Sequence, residues 1–343
     1  MRGAGGSVIG RWWPVAFVMG ICVAAVTDAR EPVAFVEEIV SRIDGSDLTL
    51  QIARPDASQP VPVLLVIDGS LCIPSRLGSA DLLAASDTTA HATLIVEKPD
   101  VTQPGIDADG GIRIGPDFEC SDGFRARYTI DQRVLDHLRA LQHLRTHADW
   151  WNGELLIWGF SDGGRIAARV GAFTPETRGM VLGGFGGGRP MAQDFEEFHI
   201  CHPERSDDRD ACLVALRAQF DAMRHNPTPH ETWNGDANSW ATWASRLDAV
   251  EAHVLADVTV PVLMFHGSED NSTPVASARM LAERLRDNPA FAYREIDGMG
   301  HGLGSGLSPS RGDALRTEFL GWLQGTLGPP TAHAPPDTST RSK

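Results

Sequence analysis

Three short glycine-flanked segments carry residues that could perform nucleophilic chemistry: Gly159-Phe160-Ser161-Asp162-Gly163, His266-Gly267-Ser268-Glu269-Asp270 and Gly298-Met299-Gly300-His301-Gly302. A serine hydroxyl attacks a carbonyl only when it is exposed, close to a base and facing hydrogen-bond donors for the oxyanion. A sharp turn from strand to helix provides that exposure. Its crowded backbone demands small residues around the serine, and Gly159 and Gly163 meet the demand. The helix that follows places its N-terminus near the developing negative charge. His301 is then the base, and a buried carboxylate at Asp270 orients its imidazole and stabilises the charged form. Glu269 is the alternative acid, and His266 reads as a packing residue at a strand end.

The elements around these segments follow from periodicity. Val61 to Ile67 is a near-continuous apolar run, which suits a strand buried on both faces, and Ala92 to Val96 repeats it. Further strands are expected at Glu37–Ile43, Leu48–Ala53, Glu154–Trp158, Met180–Leu182, Val260–Phe265 and Phe291–Ile296, the first two joined by the Asp44-Gly45-Ser46-Asp47 turn. Thr129 and Gln132 form a capping box before a helix whose apolar face is Val134, Leu135, Leu138, Leu141 and Leu144. Other helices are expected at Ile166–Ala172, Ala276–Leu285 and Ala314–Leu327. This alternation predicts an α/β protein with a mostly parallel sheet covered on both faces. Residues 187–256 break it. They hold helical stretches (Ala211–Met223 and Trp240–Leu255) and no buried strand, so they read as a helical cap inserted between two core strands. Trp233, Trp240 and Trp243 either line a pocket beneath that cap or form its own core. The Pro-, Thr- and Ser-rich tail 329–343 reads as disordered.

These motifs resemble the α/β-hydrolase superfamily from about Val61 to the closing helix. The turn around Ser161, the H-G-x-x-D ending at Asp270 and the G-H-G at His301 all match, in the chain order Ser, Asp, His. The chain is similar in style to the dienelactone hydrolase and prolyl oligopeptidase-like branches, without assignment to either. The resemblance implies an eight-stranded core, residues 30–186 and 257–328, with the cap after the sixth strand. It implies a backbone oxyanion site made by Asp162 N–H and by Ser70 or Leu71 in the loop after Val61–Ile67. There, Asp68-Gly69-Ser70-Leu71 departs from the family's usual His-Gly. It further implies an acyl-enzyme on Ser161, with an ester favoured over a thioester or amide. A peptidase and a non-catalytic binding protein of the same fold are the other readings.

Composition narrows the partners. The formal net charge is −15, which disfavours nucleic acid and anionic lipid. No cofactor is implied. Gly183 to Gly188 lacks the Lys-Ser/Thr of a phosphate loop, so nucleotide binding is rejected. His199, Cys201, His202 and Cys212 lack paired C-x-x-C spacing, so no metal is expected. Arg2 and Arg11 precede the apolar run Trp12 to Val26, and small residues follow, as in a secretory leader spanning 1–29. An uncleaved anchor or lipidation at Cys22 would be the alternatives, and Ile21 is a poor lipobox residue. Export to the periplasm or medium fits the remaining cysteines, Cys72, Cys120, Cys201 and Cys212. Of the three pairings four cysteines allow, Cys72–Cys120 with Cys201–Cys212 is the one expected in an oxidising compartment. Four buried thiols would follow if the leader did not direct export. The substrate is then a small molecule or a peptide.

Overall fold

Every residue from Val63 to Ile67 is buried in the computed structural model, and alternate side chains leave the strand on opposite faces. Val63, Leu65 and Ile67 pack with Ile130, Val134, Leu141, Leu144 and Ile166. Leu64 and Val66 pack with Leu315, Phe319, Leu320 and Leu323. A strand covered on both sides has no polar face, and this is why its sequence shows no alternation. The structure describes residues 34–86, 89–106, 112–113, 118–202, 208–233 and 236–328. The leader 1–29, with Cys22, and the tail 329–343 lie outside the described residues.

Eight strands form the main sheet: β1 (Val36–Ser41), β2 (Asp47–Ala53), β3 (Val61–Ile67), β4 (Ala92–Val96), β5 (Trp151–Phe160), β6 (Thr177–Gly183), β7 (Val262–Gly267) and β8 (Phe291–Ile296). Their spatial order is β1-β2-β4-β3-β5-β6-β7-β8. β1 pairs antiparallel with β2, and β2 antiparallel with β4. The neighbours from β4 through to β8 pair in parallel. Parallel pairing turns all of their carboxyl ends to one edge of the sheet, where ligands of open α/β sheets bind. The loops carrying Ser161, Asp270 and His301 leave the ends of β5, β7 and β8 at that edge.

Two details of the helix Ile130–His147 differ from expectation. Thr129 accepts the Gln132 N–H at 3.2 Å, but the Gln132 side chain turns away to Asp136 at 2.9 Å, so only half of the capping box forms. Leu135 is 53% exposed, whereas Arg133, Asp136 and His137 are buried. Arg133 and Arg42 both bond the Asp136 carboxylate, and Arg133 also reaches the carbonyls of Val96 and Glu97. Those partners make a polar stripe tolerable inside the core.

Residues 187–256 contain the helices Met191–Asp194, Phe195–His199, Arg209–His225, Trp240–Leu247 and Glu251–Leu255 and, among the described residues, no strand of the main sheet. The expected single helix from Trp240 to Leu255 is two, separated by Asp248, Ala249 and Val250. The segment has its own apolar cluster, with Cys201, Leu216, Phe220, Met223, Trp233 and Leu247 at its centre. Both disulfides, Cys72–Cys120 and Cys201–Cys212, are present with the expected pairing.

Candidate active site

Ser161 sits between β5 and the helix Asp162–Phe173 with φ 56° and ψ −126°. A non-glycine residue in that region costs on the order of 1–3 kcal/mol and persists only when its surroundings enforce it. Here the Ser161 N–H donates to the Gly183 carbonyl at 2.8 Å, and the Ser161 carbonyl accepts the Gly164 N–H at 2.9 Å. A side chain at Gly163 would meet the Ile67 carbonyl oxygen at 2.1 Å, so the helix can lie against the end of β3 only with glycine there.

The three segments meet. His301 Nε2 is 3.1 Å from Ser161 Oγ, and His301 Nδ1 is 2.8 Å from Asp270 Oδ2. Asp270 accepts the Ser272 and Thr273 N–H groups at 2.9 and 2.8 Å on its other oxygen, Oδ1. With the carboxylate accepting from Nδ1–H, Nε2 is the ring atom left to accept the serine hydroxyl proton. Burial alone would raise the Asp270 carboxyl, but the hydrogen bond from His301, the two neighbouring imidazoles and the Thr273 amide hold it below its ordinary value. Asp270 therefore stays ionised near neutrality. Glu269 is exposed on the same loop, and its N–H donates to the Met299 carbonyl.

The acid and base loops are fastened to each other by backbone. Glu269 N–H donates to Met299, Ser268 N–H to Ile296, and the Ser268 hydroxyl accepts from Gly298 N–H. A Cβ at Gly267 would strike the Met299 carbonyl oxygen at 2.1 Å, so this glycine permits the close approach. His266 is more than packing. Fully buried, its Nε2 lies 3.0 Å from the Thr273 carbonyl and 3.2 Å from Asp270 Oδ2. Burial lowers its pKa below the ordinary value. It thus stands behind the carboxylate as a neutral ring whose Nε2–H donates to the Thr273 carbonyl.

The loop after β3 approaches from the other side. The Cβ direction of Gly69 points to within 3.2 Å of Ser161 Cβ, which places Ser70 and Leu71 beside the nucleophile position. Lys98, buried after β4, donates to Asp68 Oδ2 at 2.6 Å and to the Gly69 carbonyl at 3.3 Å. The Cys72–Cys120 bond ties down the far end of the same loop. Lys98 was not singled out in the sequence, although a lysine closing a buried apolar strand was a usable signal. Asp162, the first residue of the helix, is buried and paired with Arg246. Arg246 carried no sequence signal at all.

Trp233 is buried in the apolar cluster of residues 187–256. Its ring stands edge-on to Phe195, Phe220 and Trp243, at 5.3, 5.4 and 5.0 Å between centroids. Trp240 and Trp243 pack on the same cluster. Of the two expectations for these tryptophans, the structure places Trp233 in the segment's own core.

No protein-family model matches this sequence, and no curated protein sequence does. Solved structures do match in shape. Est1E from Butyrivibrio proteoclasticus superposes with a TM-score of 0.54 at 13% identity, covering 84% of this chain and 99% of its own. A puromycin-hydrolyzing peptidase from Mycobacterium tuberculosis gives 0.56 at 16% identity, covering 86% of this chain and 39% of the peptidase. The esterase domain of a Rhodothermus marinus protein gives 0.51 at 15% identity, covering 85% and 99%. The chain has the α/β-hydrolase fold.

Proposed function

We propose that the chain is a serine hydrolase that transfers an acyl group to water through Ser161. One observation carries the reading: a strained, partly exposed serine is joined through a buried histidine to a carboxylate whose oxygens are all hydrogen-bonded. As Ser161 Oγ bonds to the substrate carbonyl carbon, His301 Nε2 takes the hydroxyl proton and Asp270 stabilises the imidazolium. Collapse of the tetrahedral adduct breaks the bond to the leaving group, which receives that proton from His301. Water repeats the sequence, leaving a free acid and the original serine. The oxyanion rests on the Asp162 N–H and on the N–H of Ser70 or Leu71. No step needs a metal or cofactor.

Residues 187–256 act as a cap over this edge, since they leave the sheet after β6 and return at β7. The two disulfides support an oxidising compartment, and with it export and loss of residues 1–29. An ester is the favoured substrate; of the structural neighbours, the Rhodothermus marinus one is an esterase domain and the Mycobacterium tuberculosis one a peptidase. A fluorophosphonate probe should label Ser161 in native protein and fail with Ser161→Ala. A panel of p-nitrophenyl esters against aminoacyl p-nitroanilides should show the esters turning over faster. Faster anilide turnover would make the chain a peptidase, and absence of labelling would make it a binding protein.

A further inference from the structure

Asp162 presents a problem for the chemistry just described. Its backbone N–H is placed to stabilise the oxyanion, yet its side chain is a carboxylate, buried to within 6% of full coverage. The helix that begins there concentrates roughly half a positive charge at its N-terminus. A full negative charge on its first residue opposes that field at the place where the oxyanion forms. Burial worsens the conflict, because repulsion is screened least where water is excluded.

The structure assigns Arg246 as the residue that resolves this conflict: a positioning residue whose guanidinium neutralises Asp162, so that oxyanion stabilisation requires residues 187–256 to be docked. The assignment rests on the hydrolase reading above. Arg246 lies on the helix Trp240–Leu247 and is 2% exposed. Its guanidinium pairs with Asp162 Oδ2, and Nη2 donates to Asn238 Oδ1 at 3.3 Å. The group lies 5.0 Å from the Trp243 ring centre and 5.8 Å from that of Tyr128.

Its helix is bolted to the core at three points beside the elbow. Ser239 Oγ donates to the Arg125 carbonyl at 2.8 Å, Thr242 Oγ1 donates to the Tyr128 carbonyl at 2.6 Å, and Ser245 Oγ accepts the Ile130 N–H at 3.1 Å. The charge of Asp162 is felt locally. The buried Tyr128 hydroxyl, which has no hydrogen-bond partner among the described residues, is pushed well above its ordinary pKa by burial and then by that carboxylate. Asp236 is a second acid facing Arg246, bonded to Trp243 Nε1 at 2.9 Å.

The test is a charge-removal double-mutant cycle on the full chain, read as kcat and KM with p-nitrophenyl butyrate and as the inactivation rate with a fluorophosphonate. Arg246→Gln should lower kcat and the inactivation rate by about 10- to 100-fold, with KM changed less than about threefold. Adding Asp162→Asn should restore kcat to within about fivefold of wild type, because the unpaired carboxylate is gone. Adding Asp236→Asn instead should not restore it. An unchanged kcat in Arg246→Gln overturns the proposal, as does an Asp162→Asn double variant no better than the single one.

Should Arg246→Gln fail to fold, Arg246→Lys is compared with Arg246→Lys/Asp162→Asn. Removing the carboxylate should then hold or raise kcat, and a tenfold fall overturns the proposal. Ser161→Ala separates the two readings. If it abolishes labelling while Arg246→Gln is silent, the hydrolase stands and only this proposal fails.

Discussion

The sheet with its edge loops and residues 187–256 are held together by different means. In the sheet, parallel strands bury apolar side chains on both faces, and the reactive loops are zipped backbone to backbone. Residues 187–256 instead gather edge-to-face rings around Trp233 and Phe220 and close with Cys201–Cys212. The two regions meet through polar contacts, Asp162 with Arg246 and buried Glu251 with Arg165 at 2.6 Å and Arg169 at 2.9 Å, and through Ala252 and Leu255, which pack into the core of the sheet. Burial pushes the Glu251 carboxyl up, but the two arginines and the bonds it accepts hold it below its ordinary value. The aromatic cluster around Trp233 is nonetheless separate from the two apolar clusters on the faces of the sheet. Each region can therefore be perturbed with a signature of its own.

The largest expected effect lies on the sheet side. Ser161→Ala, Asp270→Asn and His301→Ala should each lower kcat/KM by ~10³-fold or more. Thermal unfolding should shift little for Ser161→Ala, which relieves no core packing. Wild-type-like turnover in Ser161→Ala would remove chemistry from the comparison altogether, whereas a mild Asp270→Asn beside a severe Glu269→Gln would move only the acid.

A perturbation of the other region should cost stability first. Trp233→Ala deletes a ring from the centre of the aromatic cluster, a change worth about 3–5 kcal/mol. Hydrogen exchange should then show protection lost in the helix Arg209–His225 well before β3 and β5. Equal loss across both regions would show that they unfold as one unit. This outcome, rather than a reordered preference among acyl chains, is what the buried position of Trp233 leads us to expect.

The smallest effect is a pH dependence carried by the sheet side. His137 is fully buried with its Nδ1 2.6 Å from the Arg133 carbonyl, and burial, with the Arg133 charge, lowers its pKa from 6.5 to about 3. His266 is lowered as well. Below about pH 6.5 the unfolded chain binds protons that the folded chain refuses. Their contribution is complete above that pH and is lost as pH falls toward 3 for His137, by at most about 1.4 kcal/mol per pH unit for each histidine. Denaturant midpoints measured from pH 7.5 to 5 should fall in wild type and fall less in His137→Gln. An identical slope in the variant would assign the dependence elsewhere.

Much of the sheet was legible because its signals are local. The bounds of β3 and β4 follow apolar runs that the chain must bury wherever they sit, and the glycines around Ser161 announce a crowded turn before any fold is known. Leu135 misled for a related reason: periodicity marks a face, but it does not say where that face ends or that Arg133 and Asp136 will be buried beside it. The split between Leu247 and Glu251 was equally hidden, since Asp248-Ala249-Val250 contains no glycine or proline to mark where the backbone breaks the helix.

What the sequence determined by itself was the order of the main strands and helices and the three reactive segments, since each rests on residue types and spacing within a short stretch, whereas the pairing of the cysteines stayed one of three until the fold brought Cys72 to Cys120 across 48 residues. The tertiary structure alone decided that Asp270 rather than Glu269 meets His301, and that His266 stands behind the carboxylate. It alone brought Lys98 under the Gly69 loop and Arg246 onto Asp162. Those contacts join residues far apart in the chain. Their energies depend on burial and on separations of a few ångströms, and neither quantity exists until the chain has closed on itself.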